Sequence, residues 1–316
     1  MKQRVLTGIA LFAFMILLFF TRTLTPYIFD VFVVYIAVVG GLEISDLFAK
    51  FNFYNSKIAV IIYPFLSYTL FKLSVYFQLE LYLLIVFQVL LVILISLLVA
   101  ILSLLTKKRS DNEIKTRKIN CTVKQFALFK SVQTMLTIFY PAFLICLLFF
   151  INNLDSLNYI FTNVGSDAKT LLMFLLIYTF IVPVFVDTFA MLTGSLFKGK
   201  KLCVKLSPNK TISGAIGGLV WGIISAIALF FIFNSIESYR LIFVTINLTW
   251  WKVLIAGILS SVLCQIGDLF ESFIKRKAQV KDSGDFLPGH GGLLDRIDSH
   301  IANILVTFVF MLIILI

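Results

Sequence analysis

LLIVFQVLLVILISLLVAILSLL, Leu83 to Leu105, contains no charged residue, and its only polar side chains are Gln88, Ser96 and Ser103. A helix of about 20 apolar residues crosses roughly 30 Å of hydrocarbon. Inside a bilayer a helix satisfies every backbone N–H and C=O within the segment itself. Similar runs lie on both sides of this one. The expected spans are Val5–Phe20, Ile28–Glu43, Ile58–Phe77, Leu81–Leu105, Ala127–Ile151, Thr170–Asp187, Gly214–Ile236, Trp251–Asp268 and His300–Ile316. Of the 316 residues, 60% are apolar and 14% charged, against about 25% charged in a soluble domain. The fold class is therefore an all-α polytopic integral membrane protein with about nine transmembrane helices. No stretch is long enough for a large soluble domain. The opening MKQRVLTGIALFAFMILLFF has basic residues before an apolar run but no small-residue cleavage site after it, and reads as a retained first helix.

The formal net charge is +11. With the N-terminus in the cytoplasm, 21 of the 27 Lys and Arg fall in the N-terminal tail or in cytoplasmic connections, and four (Arg22, Lys169, Arg240, Lys252) fall outside. This asymmetry predicts a cytoplasmic N-terminus and an external C-terminus. The basic excess is thus assigned to topology and anionic lipid, with no nucleic-acid partner expected. The four cysteines are scattered and form neither a disulfide framework nor a zinc pattern.

Six of the sixteen carboxylates are concentrated between Asp268 and Asp298. Asp268 ends the eighth apolar run, in CQIGDLFESFIKRK, and an ionisable group at membrane depth marks a functional site by default. Asp268, Glu271 and Ser272 are spaced to share one helical face, as are Asp295 and Asp298. Close carboxylates call for cations. The candidates are Lys275, Arg276, Lys277, Lys281 and Arg296, or a hard divalent ion. Carboxylates, Mg²⁺ and basic side chains are the parts that phosphoryl or nucleotidyl transfer needs. The PGHGG turn, Pro288–Gly292, would let backbone N–H groups approach a phosphate. A salt-bridged cytoplasmic loop without chemistry uses the same residue types, and His290 alone argues little. A second basic patch, VDTFAMLTGSLFKGKKLCVKLSPNKTISGAIGG, follows Asp187 and lies on the same predicted side. There, Ser207-Pro208 reads as the start of a turn.

SFIKRKAQVKDSGDFLPGHGGLLDRID, Ser272–Asp298, resembles the C-terminal signature of the phosphatidate cytidylyltransferases. Ser272, Lys275, Arg276, Lys281, Asp282, Gly284, Leu287, Pro288, His290, Gly291, Gly292, Asp295, Arg296 and Asp298 stand at the spacing of that pattern. The preceding GDLFES and the Ser207–Gly218 patch resemble the family as well. Residues 161–316 are thus the expected catalytic region, with polar loops on the cytoplasmic side. Residues 1–160 match only as apolar spans. The chain departs from the family pattern at Ser213, where an acid is usual, and at Met191, where the pattern carries Tyr.

The resemblance implies transfer of CMP from CTP to phosphatidic acid, with Mg²⁺, to give CDP-diacylglycerol for phospholipid biosynthesis. It implies metal ligands at Asp268 and Asp295, with Ser272 near them. Lys275, Arg276, Lys281, Arg296 and Lys210 are the candidate phosphate contacts, and His290, Gly291 and Gly292 are expected to shape the nucleotide site. The setting is a multi-pass protein of the cell membrane in contact with the lipid bilayer, and a homodimer is compatible with it. Two alternatives stay open on the sequence. One is a CTP-dependent polyprenol kinase, and the other a transporter or silent membrane scaffold.

Overall fold

The computed structural model describes residues 2–51, 53–116, 119, 121–161, 167–284 and 291–315. The helices run in order α1 (Lys2–Leu24), α2 (Pro26–Ala49), α3 (Lys57–Tyr76), α4 (Leu81–Leu105), α5 (Lys107–Thr116), α6 (Val123–Thr137), the short α7 (Leu144–Cys146) and α8 (Leu148–Asn152), and α9 (Ala168–Phe197). A two-stranded antiparallel hairpin follows, β1 (Lys201–Cys203) and β2 (Ser207–Thr211). Then come α10 (Ile212–Asn234), α11 (Glu237–Thr245), α12 (Trp250–Lys277) and α13 (Leu294–Leu315). Among the described residues, eight helical segments are long and apolar enough to cross a membrane, and the Ala13–Leu24 part of α1 is a shorter apolar helix. The chain is a multi-pass membrane protein.

Three departures from the sequence reading have local causes. The Ala127–Ile151 span is not one straight helix. Tyr140 takes extended angles, φ −120° and ψ 117°, ahead of Pro141, because proline disfavours the helical conformation of the residue before it. The apolar runs that end at Asp187 and Asp268 belong to helices that continue to Phe197 and Lys277. Apolarity reports lipid contact, whereas the helix ends where its backbone is capped. For α9 that happens at Lys198, in the left-handed region with φ 44°. Ser207 and Pro208 lie within β2 and do not start a turn.

The chain divides into two compact units, each assembled from separate stretches. The first comprises Met1–Ala13, Asp30–Cys146 and Lys277–Leu294. Its core includes Ile44, Leu47, Tyr63, Phe71, Leu84 and Phe126, all fully buried. Polar side chains tie its helices together. Ser67 Oγ donates to Gln88 Oε1 at 2.7 Å, joining α3 to α4, and Ser131 Oγ donates to Ser96 O at 2.7 Å, joining α6 to α4. In hydrocarbon such groups gain from finding each other, since no water competes. The segment before α3 is pinned to α6 by Ser56 N donating to Thr134 Oγ1 and Asn55 Nδ2 to Thr137 Oγ1. Ser56 then caps α3.

The second unit comprises Phe14–Phe29, Leu147–Arg276 and Asp295–Ile316. Its aromatic core packs Phe174 against Phe233 and Phe243. Tyr178 Oη lies 3.0 Å from Ser260 Oγ, and Asn303 Nδ2 donates to Thr179 O at 2.9 Å, holding α12 and α13 on α9. One face of α10 is glycine-rich and approaches α9 and α12 closely. A Cβ at Gly217 would overlap Thr193, and one at Gly222 would overlap Ser261. Arg22 is buried at 3% exposure, with Nε donating to Asn152 Oδ1 at 2.6 Å and Nη2 3.3 Å from Asp155 Oδ1.

Candidate active site

The second unit contains a cavity of about 700 Å³, lined by α9, the hairpin, α10 and α12. On α9 the lining residues are Asp187, Ala190, Met191, Gly194, Ser195 and Lys198. Their spacing of three and one places them on a single helical face. On α12 the lining residues are Gln265, Asp268 and Leu269. At 1.5 Å rise per residue, Asp187 and Asp268 stand roughly 27–29 Å from the starts of their helices. Each acid is therefore preceded by a length of helix close to the thickness of a hydrocarbon layer, about 30 Å. The polar turns beyond them help to wall the cavity.

The hairpin contributes the cations. Lys201 and Lys210 line the cavity from β1 and β2, and Lys198 lines it from the end of α9. Lys210 Nζ lies 2.5 Å from Asp268 Oδ2, with both side chains about one-quarter exposed. Thr211 caps α10, accepting from Gly214 N at 3.1 Å. Ser213, the departure from the family pattern, has a definite role here. Its Oγ accepts from Gly199 N at 3.2 Å and lies 3.1 Å from Thr211 Oγ1, closing the hairpin onto the end of α9. Arg276 donates Nε–H to Leu206 O at 3.1 Å, bracing the hairpin turn.

A second set of charges joins α12 to α13. Lys275 Nζ lies 3.1 Å from Glu271 Oε2 and 2.6 Å from Asp295 Oδ1. The Glu271 side chain is fully buried, and its Oε1 receives no hydrogen-bond donor. Asp298 is buried and interacts with Asp268, Glu271 and Asp187, while Asp187 also feels Lys210. Among the described residues, five carboxylates thus gather around the Lys210 and Lys275 ammonium groups, a grouping that is costly in a poorly solvated place unless protons or cations offset it.

The donor set fits a hard divalent ion. It consists of carboxylate oxygens, one of them a buried acceptor with no donor. Among the described residues no three acid, histidine or cysteine side chains are already gathered to hold an ion together. Asp268 and Asp295 are instead held by Lys210 and Lys275.

Of the expected site residues, the structure brings Lys210 to Asp268 and Lys275 to Asp295. Ser272 Oγ sits one turn from Asp268, at 3.5 Å from Oδ1. Arg296, in the first turn of α13, is exposed, and so is Lys281, at the bend after α12. Gly291 has φ 84°, and Gly292 is packed against Ser283 and Glu43. His290 falls outside the described residues. Lys198 and Lys201 lie in the basic patch that follows Asp187 in the sequence, whereas nothing on the chain marked Gln265. The three-and-four spacing from Asp187 to Lys198 is the signal that would have found the α9 face.

A sequence profile described as the cytidylyltransferase family matches residues 2–314. Among curated proteins, the chain is 45% identical over 124 residues to a phosphatidate cytidylyltransferase of Staphylococcus haemolyticus, covering 39% of this chain and 44% of that protein. It is 45% identical over 124 residues to the protein of the same name from Rickettsia conorii, covering 39% and 51%. The corresponding Staphylococcus saprophyticus protein is 42% identical over 124 residues, covering 39% and 44%. These matches span about half the length of the curated relatives. The profile match runs through nearly every helix, including those that carry the acids and cations of the cavity, and the chain belongs to the cytidylyltransferase family.

Proposed function

We propose that the chain transfers CMP from CTP to phosphatidic acid, giving CDP-diacylglycerol and pyrophosphate. The observation that carries this reading is the cavity in which Lys198, Lys201 and Lys210 converge with Asp187 and Asp268 at the end of a membrane-spanning length of helix. A triphosphate needs cations, and a lipid phosphate arrives at the same depth from the bilayer. The matched relatives carry the name phosphatidate cytidylyltransferase, which agrees with it.

In this reading a phosphate oxygen of phosphatidic acid attacks the α-phosphorus of CTP. The bond from that phosphorus to the bridging oxygen of the β-phosphate breaks, and pyrophosphate leaves. The attacking oxygen is already anionic at neutral pH, so no protein nucleophile is required. Lys198, Lys201 and Lys210 hold the triphosphate and offset its charge. Asp268 and Asp295 would hold Mg²⁺, with Ser272 beside them. The ion supplies charge neutralisation and alignment of the leaving group. Lys275 keeps Asp295 and Glu271 together against their mutual repulsion.

The test uses the purified full chain in detergent with phosphatidic acid and Mg²⁺. CTP labelled at the α-phosphate should yield lipid-soluble label together with free pyrophosphate. Lipid-soluble label from γ-labelled CTP, with CDP as the other product, would show a lipid kinase and overturn the proposal.

A further inference from the structure

We propose that Glu43 is the internal anion that anchors Ser283 and the first residues of α13, and so acts as a positioning residue for Asp295. Glu43 lies on α2 and is 8% exposed. Its carboxylate accepts three hydrogen bonds, from Ser283 Oγ at 3.0 Å, Leu293 N at 2.8 Å and Leu294 N at 2.7 Å. Leu293 and Leu294 are the residues at which α13 begins. Their N–H groups are among those that a helix leaves without an internal partner, and the positive end of the helix dipole favours a carboxylate there.

Two glycines of the signature fit this arrangement. A Cβ at Gly284 would stand 3.0 Å from Glu43 Oε1, and one at Gly292 would stand 2.6 Å from Glu43 Oε2 and overlap Ser283 Oγ. Gly291, immediately before Gly292, has φ 84°, a conformation that costs other residues energy. The sequence suggested that backbone N–H groups of the Pro288–Gly292 turn would receive a phosphate. The N–H groups just after that turn, those of Leu293 and Leu294, are taken by Glu43. A fixed negative charge there disfavours a second anion, so Gly284 and Gly292 serve the approach of Glu43. The next residue along the helix is Asp295, and its direction follows from where α13 starts. The catalytic part of this inference rests on the nucleotidyl-transfer reading, whereas the anchoring part does not.

The experiment has two arms, both on the full-length protein in detergent. The first is amide hydrogen exchange at Leu293 and Leu294 in Glu43→Gln, with Asp46→Asn as control. Asp46 is a half-exposed acid on the same helix, paired with Lys57. An amide side chain keeps the size of Glu43 but loses its charge and turns one acceptor into a donor. Exchange at both positions should rise at least about tenfold, with the control unchanged. Gly292→Ala should raise it too. Unchanged exchange in both Glu43→Gln and Gly292→Ala overturns the anchor. Should Glu43→Gln fail to fold, Ser283→Ala removes one of the three bonds and carries the same test. A smaller rise is expected there, and no rise overturns the anchor.

The second arm is CMP transfer. The positioning role predicts kcat down about tenfold or more in Glu43→Gln, KM for CTP within about threefold, and partial recovery in Glu43→Asp. Faster exchange with unchanged kcat would leave an anchor with no effect on Asp295 and overturn that role. If the wild-type chain transfers no CMP, the exchange arm still decides the anchor, and it is the proposed function that fails.

Discussion

Lys275 Nζ lies 2.6 Å from Asp295 Oδ1, joining the last turns of α12 to the first turn of α13. The same ammonium serves Glu271, whose side chain is fully buried. Removing it strands two carboxylates in a poorly solvated place. Lys275→Met should therefore destabilise the protein by about 3–5 kcal/mol, the usual consequence of breaking a buried ion pair from one side. Lys275→Met combined with Glu271→Gln should lose clearly less, because one stranded charge is gone. Thermal unfolding in detergent measures both. Equal losses in the single and double variants would show that Lys275 acts through something other than Glu271.

Asp268 and Asp295 are each paired with a lysine, yet each is assigned a larger role in turnover. Asp268→Asn and Asp295→Asn should abolish CMP transfer while the protein stays folded and inserted. Single electrostatic contacts made in a transition state are worth about 2.7–4 kcal/mol. Rates near wild type in both variants at saturating Mg²⁺ would remove these residues from the metal assignment.

The two neighbouring lysines of the hairpin differ in place. Lys201 lines the cavity and Lys200 does not. Lys201→Gln should raise KM for CTP at least about fivefold, roughly 1 kcal/mol. Lys200→Gln should stay within about twofold, as exposed charges usually do. Arg296→Lys should cost at least about tenfold in kcat/KM if its guanidinium holds a phosphate with two parallel bonds, which a point charge cannot reproduce. An effect of Lys200 larger than that of Lys201 would put the triphosphate outside this cavity.

The distribution of Lys and Arg predicts that the 106–124 connection is cytoplasmic and the C-terminus external. Single cysteines at Asp111 and after Ile316, in a chain whose four native cysteines are replaced, should react with an impermeant reagent from opposite sides. Labelling of both from one side would require an even number of crossings.

The membrane class could be read from the chain alone, because a run such as Leu83–Leu105 has no stable place but hydrocarbon or a helical core. Ends of α3, α4 and α10 came within two residues of expectation for the same reason, since there the apolar run and the helix coincide. Asp268, Lys210, Lys275 and Asp295 could also be singled out on the chain, from charge in apolar surroundings and from the signature spacing. Their pairing could not. That Lys210 meets Asp268, from positions 58 residues apart, and that Lys275 meets Asp295 depends on how helices and hairpin pack, which no local pattern encodes. Likewise α9 and α12 outrun their apolar segments, because a helix is ended by its backbone cap and not by the loss of lipid contact. Glu43 is the clearest case. On the chain it is one acid near the end of an apolar run, 250 residues before Leu293. Only the folded backbone brings its carboxylate to the N–H groups that begin α13, where a buried helix end needs an acceptor and a glycine leaves the space for one.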